Sequence, residues 1–155
     1  MSLIFLDIDG VLRTPVGDTE WSVEDSLPIP QIVFHRKFSK KAVANLNEII
    51  SYTKSKVVIT STWRTKFSIE DLKSIFRRNK VYCDIIDFTY IGLNRGEEIQ
   101  VWLDYHNYTD SYIVIDDQVN DILKYISKDR VIKCEHNVGL TYEDSSRAID
   151  ILFTI

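Results

Sequence analysis

Five short apolar runs alternate along the chain with longer segments in which apolar residues recur every three or four positions. This alternation predicts strands joined by helices, and therefore a parallel sheet with helices on both faces. The runs are rich in β-branched residues and carry few polar interruptions, as expected of strands buried on both sides. They are "LIFLDI" (3–8), "KVVIT" (56–60), "VYCDIIDFT" (81–89), "YIVID" (112–116) and "RVIKC" (130–134). We therefore predict an α/β, three-layer fold with a central parallel sheet of about five strands.

Capping residues mark the start of three helical segments. These residues are Ser39, Ser68 with Asp71, and Asn94 with Glu97. The cap at Asn94 puts Arg95 in the first helical turn. The helical period also predicts helices over residues 116–127 and 142–153.

A length of 155 residues suits one domain, and we expect residues 1–155 to form it. The least regular stretch, residues 13–37, holds all three prolines and is predicted to be a flap or extended loop.

The formal net charge of −4 does not favour nucleic-acid binding by the chain as a whole. No apolar run has the roughly 18 residues of a membrane span, and the first strand begins too early for a signal peptide. We therefore expect a cytoplasmic protein with no membrane partner.

Polar residues follow three of the predicted strands at their carboxyl ends, where ligands bind in open parallel sheets. They are Asp7 and Asp9 after the first strand, Thr60 and Ser61 after the second, and Asp116 and Asp117 after the fourth, and Arg95 opens the helix that leads into the fourth strand. Each has a simpler explanation by itself, since Asp suits turns and Ser or Thr can cap a helix. Together the carboxylates would repel one another unless a hard cation such as Mg²⁺ held them. A hydroxyl and a guanidinium beside that cation can bind a phosphoryl group, so the set predicts phosphoryl chemistry.

Four segments in chain order carry a resemblance to a known family: "FLDIDGVL", "VVITSTWR", "NRGEEIQVWL" and "YIVIDDQ". They resemble the four motifs of the haloacid dehalogenase (HAD) superfamily of phosphohydrolases, across nearly the whole chain. The second and third segments, with the closing "NVGLTYEDSSRAIDIL", are similar to HAD domains found alone or within Swiss-army-knife RNA-repair proteins. The resemblance implies a Rossmann-like, HAD-type fold and a Mg²⁺-dependent phosphomonoesterase that works through an aspartyl-phosphate.

The resemblance also implies roles for the four aspartates. Asp7 would attack phosphorus, and Asp9 would protonate the leaving oxygen and later activate the hydrolytic water. The implied Mg²⁺ ligands are Asp7, the backbone carbonyl of Asp9, Asp116, and Asp117 either directly or through water.

The remaining site residues differ in how closely they follow the family. Thr60 would bind a phosphoryl oxygen, with Ser61 as the alternative if the pattern is offset by one residue. Arg95 stands where the family usually has Lys, and its forked side chain keeps the charge but changes the geometry. Arg64 is a further candidate for phosphate contact, and its alternative is a surface position beside Trp63.

Family members differ chiefly in the cap domains inserted after the first or second motif. The segments between motifs, residues 10–59 and 61–94, have no room for the roughly 50 extra residues of a domain once their strands and helices are placed. No large cap domain is therefore expected. An open site suits a phosphate on a bulky carrier such as a nucleic-acid end, and two basic clusters, "HRKFSKK" (35–41) and "FRRNK" (76–80), favour a polyanion.

Two other classes of function stay open at this point. One is a phosphoacceptor signalling module, which also uses carboxylates, a Thr or Ser and a basic residue on a parallel sheet. That class carries its paired acids after the first strand and its lone acceptor Asp after the third, whereas here Asp-x-Asp comes first and the adjacent pair of acids comes late. The other is a module that binds metal and phosphate without turnover. The sequence does not indicate an oligomeric state.

Overall fold

The computed structural model describes residues 1–15 and 37–154. At its centre five strands form one parallel sheet in the order β3-β2-β1-β4-β5. The strands are β1 (Leu3–Leu6), β2 (Lys56–Ile59), β3 (Ile85–Phe88), β4 (Tyr112–Asp116) and β5 (Val131–Lys133). The predicted five-stranded parallel sheet is confirmed, although the third strand is shorter than the run from 81 to 89.

Among the described residues, four α-helices pack on the two faces of the sheet: α1 (Lys40–Thr53), α2 (Ile69–Arg78), α3 (Arg95–Tyr105) and α4 (Tyr142–Thr154). The first three begin at the caps that the sequence marks. Ser39 accepts a hydrogen bond from the Ala42 N–H, Ser68 forms a capping box with Asp71, and Asn94 accepts from the Glu97 N–H. None of the described helices is both long and apolar enough to cross a membrane.

Side chains along each strand alternate between the two faces of the sheet, so each face has its own apolar core. Ile4 and Leu6 of β1 point to the face covered by α1, α2 and α4. Leu3 and Phe5 point to the opposite face, where they pack with α3 and with the turns that follow β4. This arrangement is the predicted three-layer fold.

The register of the central strands aligns their carboxyl ends. Leu6 of β1 pairs with Ile59 of β2 on one side and with Ile115 of β4 on the other. The residues that follow these three are Asp7, Thr60 and Asp116. The sheet therefore places a hydroxyl and two carboxylates side by side, as parallel strands require.

One predicted helix is wrong, because residues 116–127 do not form an α-helix. The chain makes a short 3₁₀ turn there, at Ile122–Lys124, and a second 3₁₀ turn follows at Lys128–Arg130. The Asp116 carboxylate accepts a hydrogen bond from the Gln118 N–H at 3.0 Å, and such local bonds favour turns over helices. The apolar spacing still marks burial beside α3, through Val119, Ile122 and Ile126.

Most of the predicted flap, residues 16–36, lies outside the described residues, so the flap stays a prediction. The chain before it turns tightly after β1, where the Gly10 N–H donates to the Arg13 carbonyl at 2.8 Å. Gly10 has a φ of +80°, which glycine adopts without steric cost. Between residues 37 and 154, no cap domain interrupts the α/β fold.

Candidate active site

Three carboxylates meet at the aligned strand ends. Asp7, Asp116 and Asp117 each place an oxygen within 4.8 Å of the other two. Asp7 is 5% exposed and Asp116 is fully buried. Clustered carboxylate oxygens are the ligands that Mg²⁺ prefers, so these side chains fit a divalent cation. The structure thus brings together the three side chains that the sequence predicts as metal ligands.

Among the described residues, Arg95 forms ion pairs with two members of this cluster. It is the first residue of α3, whose start is fixed by the hydrogen bond from the Glu97 N–H to Asn94 at 2.9 Å. Its Nη1 lies 2.8 Å from Asp116 Oδ2 and 3.3 Å from Asp7 Oδ1. Arg95 therefore reaches two carboxylates from one nitrogen.

One arginine does not balance three carboxylates. Burial, and then the negative charge of Asp116, raise the pKa of Asp7 well above its usual value despite the nearby Arg95. Burial also raises the pKa of Asp116, and Arg95 offsets only part of this rise. A bound cation would give the ionised carboxylates a second counter-charge. The electrostatics of the cluster therefore fit a cation site.

His136 contacts the third carboxylate, and sequence analysis missed it. Its Nδ1 lies 2.7 Å from Asp117 Oδ2. Burial opposes the charge on Asp117, but hydrogen bonds, with that from His136 the largest, lower the pKa of Asp117 below its usual value. A Cβ on Gly10 would lie 2.3 Å from Asp117 Oδ2, so only glycine leaves room for this pair. The available signal was the position of His136 just past β5, at the same edge of the sheet.

The two candidate hydroxyls after β2 have different surroundings. Ser61 accepts a hydrogen bond from the Trp63 N–H at 3.2 Å and caps the 3₁₀ turn Thr62–Thr65. Thr60 is fully buried, and its Oγ1 has no hydrogen-bond partner among the described residues. A buried hydroxyl without a partner is costly unless a ligand satisfies it. The structure therefore favours Thr60 over Ser61 as the residue whose hydroxyl forms a hydrogen bond with a ligand.

Arg64 is held within the protein. Its guanidinium donates to five acceptors: the backbone carbonyls of Thr60, Ser61, Thr89 and Tyr90, and the carboxylate of Glu98. A guanidinium has five N–H donors, so this arrangement leaves none for a phosphate. Glu98, which is 4% exposed, lies 2.8 Å away and balances the charge. The geometry thus gives Arg64 a scaffold role, which is to hold the loops after β2 and β3 against α3. Arg64 has no N–H group left for the predicted contact with a phosphate.

The Asp9 side chain is not part of the three-carboxylate cluster. Its Oδ2 accepts a hydrogen bond from Trp63 Nε1 at 2.9 Å. Its Oδ1 is buried and has no hydrogen-bond partner among the described residues. The carboxyl group of Asp9 therefore lies outside the three-carboxylate cluster. One of its oxygens is held by a hydrogen bond, and the other has none among the described residues.

Comparison with known proteins identifies the family. The sequence profile described as "HAD domain in Swiss Army Knife RNA repair proteins" matches residues 3–145. The chain belongs to this HAD family. No sequence among the curated proteins matches it.

The HAD assignment agrees with a solved structure described as "Crystal structure of putative beta-phosphoglucomutase from Thermotoga maritima". The two chains are 13% identical and superpose with a TM-score of 0.52, over 99% of each chain. At this identity the likeness concerns the fold alone. It supports the HAD-type α/β architecture.

An open cleft of about 780 Å³ lies beside the carboxylates of the HAD domain. Arg95 and Asp117 line it on the side of the cluster. Ile91 and Leu93, which are 61% and 49% exposed, add apolar surface. The cleft therefore offers a mixed polar and apolar surface beside the carboxylates.

Proposed function

We propose that this HAD domain is a Mg²⁺-dependent phosphomonoesterase that forms an aspartyl-phosphate on Asp7. The observation that carries the proposal is the set of groups at the aligned strand ends. Three carboxylates and one unsatisfied hydroxyl lie at the ends of adjacent strands, and the guanidinium of Arg95 reaches two of the carboxylates from α3. Membership of the HAD family supports phosphatase-type chemistry for this set. The order of the acidic residues argues against a receiver-type signalling module.

In the proposed reaction, an Asp7 oxygen attacks phosphorus and the bond from phosphorus to the leaving oxygen breaks. Asp9 gives its proton to that oxygen, so the alcohol leaves neutral. Asp9 then takes a proton from a water molecule, and the water oxygen attacks the phosphorus of the aspartyl-phosphate. Phosphate leaves, and the Asp7 carboxylate is restored. Arg95 and Thr60 bind the phosphoryl oxygens throughout.

The cation site belongs to the same proposal. Asp7, Asp116 and Asp117 would hold Mg²⁺ together with the backbone carbonyl of Asp9. The ion would offset the repulsion between the attacking carboxylate and the phosphoryl oxygens. The rise in the pKa of Asp7 through burial supports this, because the ionised nucleophile needs a counter-charge beyond that of Arg95.

A nucleic-acid end is the substrate that the surface supports best. A second opening of about 650 Å³, the basic groove, is lined by residues from both basic clusters of the sequence. All of its described charged lining residues are basic: Lys37, Lys40, Arg78 and Lys80. Tyr82 also lines the groove and is 69% exposed, which suits stacking with a base.

The fold brings the two basic clusters together. The Phe38 N–H donates to Asn79 Oδ1 at 2.9 Å, and the Phe38 ring meets the Phe76 ring edge-on at 5.4 Å. The centroid of the Phe38 ring also lies 6.0 Å from that of the Trp63 ring, and Trp63 donates a hydrogen bond to Asp9. Phe38, which lines the basic groove, is therefore linked to Asp9 through a single side chain, that of Trp63.

The test is phosphate release from a panel of sugar phosphates, nucleotides and terminally phosphorylated oligonucleotides. The parent should release phosphate only with Mg²⁺, and EDTA should abolish release. Asp7→Asn should remove nearly all turnover with the fold retained, because no other group replaces the attacking oxygen. Asp104→Asn is the matched control, since Asp104 is an exposed carboxylate on α3.

Two results would contradict the proposal. Asp7→Asn activity within tenfold of the parent would remove Asp7 as the nucleophile. A folded parent that binds Mg²⁺ and phosphate but turns over no member of the panel would instead indicate a non-catalytic binding module.

A further inference from the structure

We propose that Trp63 is a positioning residue for proton transfer by Asp9. Its indole N–H fixes one carboxyl oxygen of Asp9 and so determines which oxygen carries the catalytic proton. The inference rests on the proposed function and adds a residue to it. The observation behind it is the hydrogen bond of 2.9 Å from Trp63 Nε1 to Asp9 Oδ2.

The surroundings of Trp63 make it a rigid donor. It lies in the 3₁₀ turn directly after β2 and is 6% exposed. The rings of Phe38 and Phe67 lie 6.0 Å and 5.8 Å from its own. An indole held by packing on two sides and by a capped turn cannot easily rotate its N–H away from Asp9.

The chemistry of the indole gives the hydrogen bond a direction. An indole N–H donates and cannot accept, so Asp9 Oδ2 must be the acceptor whether the carboxyl group is protonated or ionised. The carbonyl oxygen of a protonated carboxyl group is a stronger acceptor than its hydroxyl oxygen, so the bond to Oδ2 favours the proton on Oδ1. That oxygen is buried and has no partner among the described residues, so its proton is not committed to another protein group. Trp63 thus leaves Oδ1 as the oxygen that exchanges a proton with the leaving group.

A purely structural role for Trp63 would have a different consequence. Its packing would support the loop after β2, and its loss would slow all substrates alike or unfold the protein. A positioning role should matter most when the leaving oxygen needs a proton. Alkyl phosphates depend strongly on general-acid catalysis, whereas p-nitrophenolate leaves with little help.

The test compares kcat/KM for glycerol phosphate and p-nitrophenyl phosphate with Mg²⁺ present. Trp63→Phe keeps an aromatic ring and removes only the N–H donor. We expect kcat/KM to fall about 10- to 100-fold for glycerol phosphate and less than about threefold for p-nitrophenyl phosphate. The larger loss is a fraction of the roughly 10²- to 10⁴-fold effect of a general acid. Phe67→Leu is the control for packing, because Phe67 contacts the indole without bonding to Asp9.

A double-variant cycle and a spectroscopic measurement complete the test. In an Asp9→Asn background, Trp63→Phe should have no further selective effect, since the group that it positions is gone. The indole N–H signal of Trp63 in NMR spectra should shift in Asp9→Ala, whereas that of Trp102, which donates to Asp87, should not.

Equal losses on both substrates in Trp63→Phe would overturn the inference and leave a packing role. An unshifted indole signal would overturn it as well. A parent with no turnover would instead overturn the proposed function, so the two failures are distinguishable.

Discussion

Replacing Arg64 with alanine separates a scaffold role from phosphate binding. The guanidinium ties the loop after β2 to the loop after β3 through four backbone carbonyls, and to α3 through Glu98. The Arg64 and Glu98 side chains are only 3% and 6% exposed. Arg64→Ala therefore leaves a carboxylate buried without its counter-charge and several carbonyls without a donor.

The size of the effect follows from this burial. Removing one partner of a buried ion pair costs about 3–5 kcal/mol. For a chain of this length, 1 kcal/mol moves Tm by about 2–4 °C, so Arg64→Ala should lower Tm by about 6–20 °C. The double variant Arg64→Ala, Glu98→Ala should be less destabilised than the sum of the two single variants, because it leaves no unpaired buried charge.

The assay is thermal unfolding followed by circular dichroism, with inhibition by inorganic phosphate measured on the same samples. Arg77→Ala is the control, since Arg77 is an exposed arginine on α2 and its loss should change stability by less than about 0.5 kcal/mol. Unchanged Tm in Arg64→Ala, combined with much weaker phosphate inhibition, would refute the scaffold role and restore Arg64 as a phosphate ligand.

Two further predictions concern the cation and the substrate. Burial raises the pKa values of Asp7 and Asp116, so the metal-free fold retains protons that the unfolded chain has released. Its stability therefore falls as pH rises from the ordinary carboxyl pKa of the unfolded chain to the raised pKa of the folded protein. Mg²⁺ competes with those protons, so the rise in Tm on adding Mg²⁺ should be larger at pH 7.5 than at pH 5, and a rise independent of pH would contradict the cation site. For the substrate, kcat/KM for a terminally phosphorylated oligonucleotide should at least equal that for the mononucleotide and should fall as salt rises. Arg78→Glu with Lys80→Glu should reduce the oligonucleotide value alone, whereas a strong preference for the mononucleotide at low and moderate salt would defeat the idea.

The sequence by itself determined the layers of the fold and the composition of the site. Strand periodicity and helix caps act over a few residues, so Ser39, Ser68 and Asn94 could be identified without knowing the fold. Parallel strands joined by helices must place their carboxyl ends at one edge of the sheet. That Asp7 and Asp116 lie at the same edge of the sheet therefore follows from the alternation of strands and helices, whereas the adjacency of β1 and β4 was decided by the tertiary structure.

Only the tertiary structure decided which side chains pair with one another. Trp63 meets Asp9 across 54 positions of the chain, and Arg64 meets Glu98 across 34. No local pattern encodes such pairs, because they depend on how loops at the sheet edge pack after the strands are in register. The same packing occupies every donor of Arg64, which sequence reasoning left open as a phosphate ligand, and it turns the helical spacing of residues 116–127 into buried turns beside α3. Sequence spacing records which side chains are buried, but their partners are fixed by contacts between distant segments.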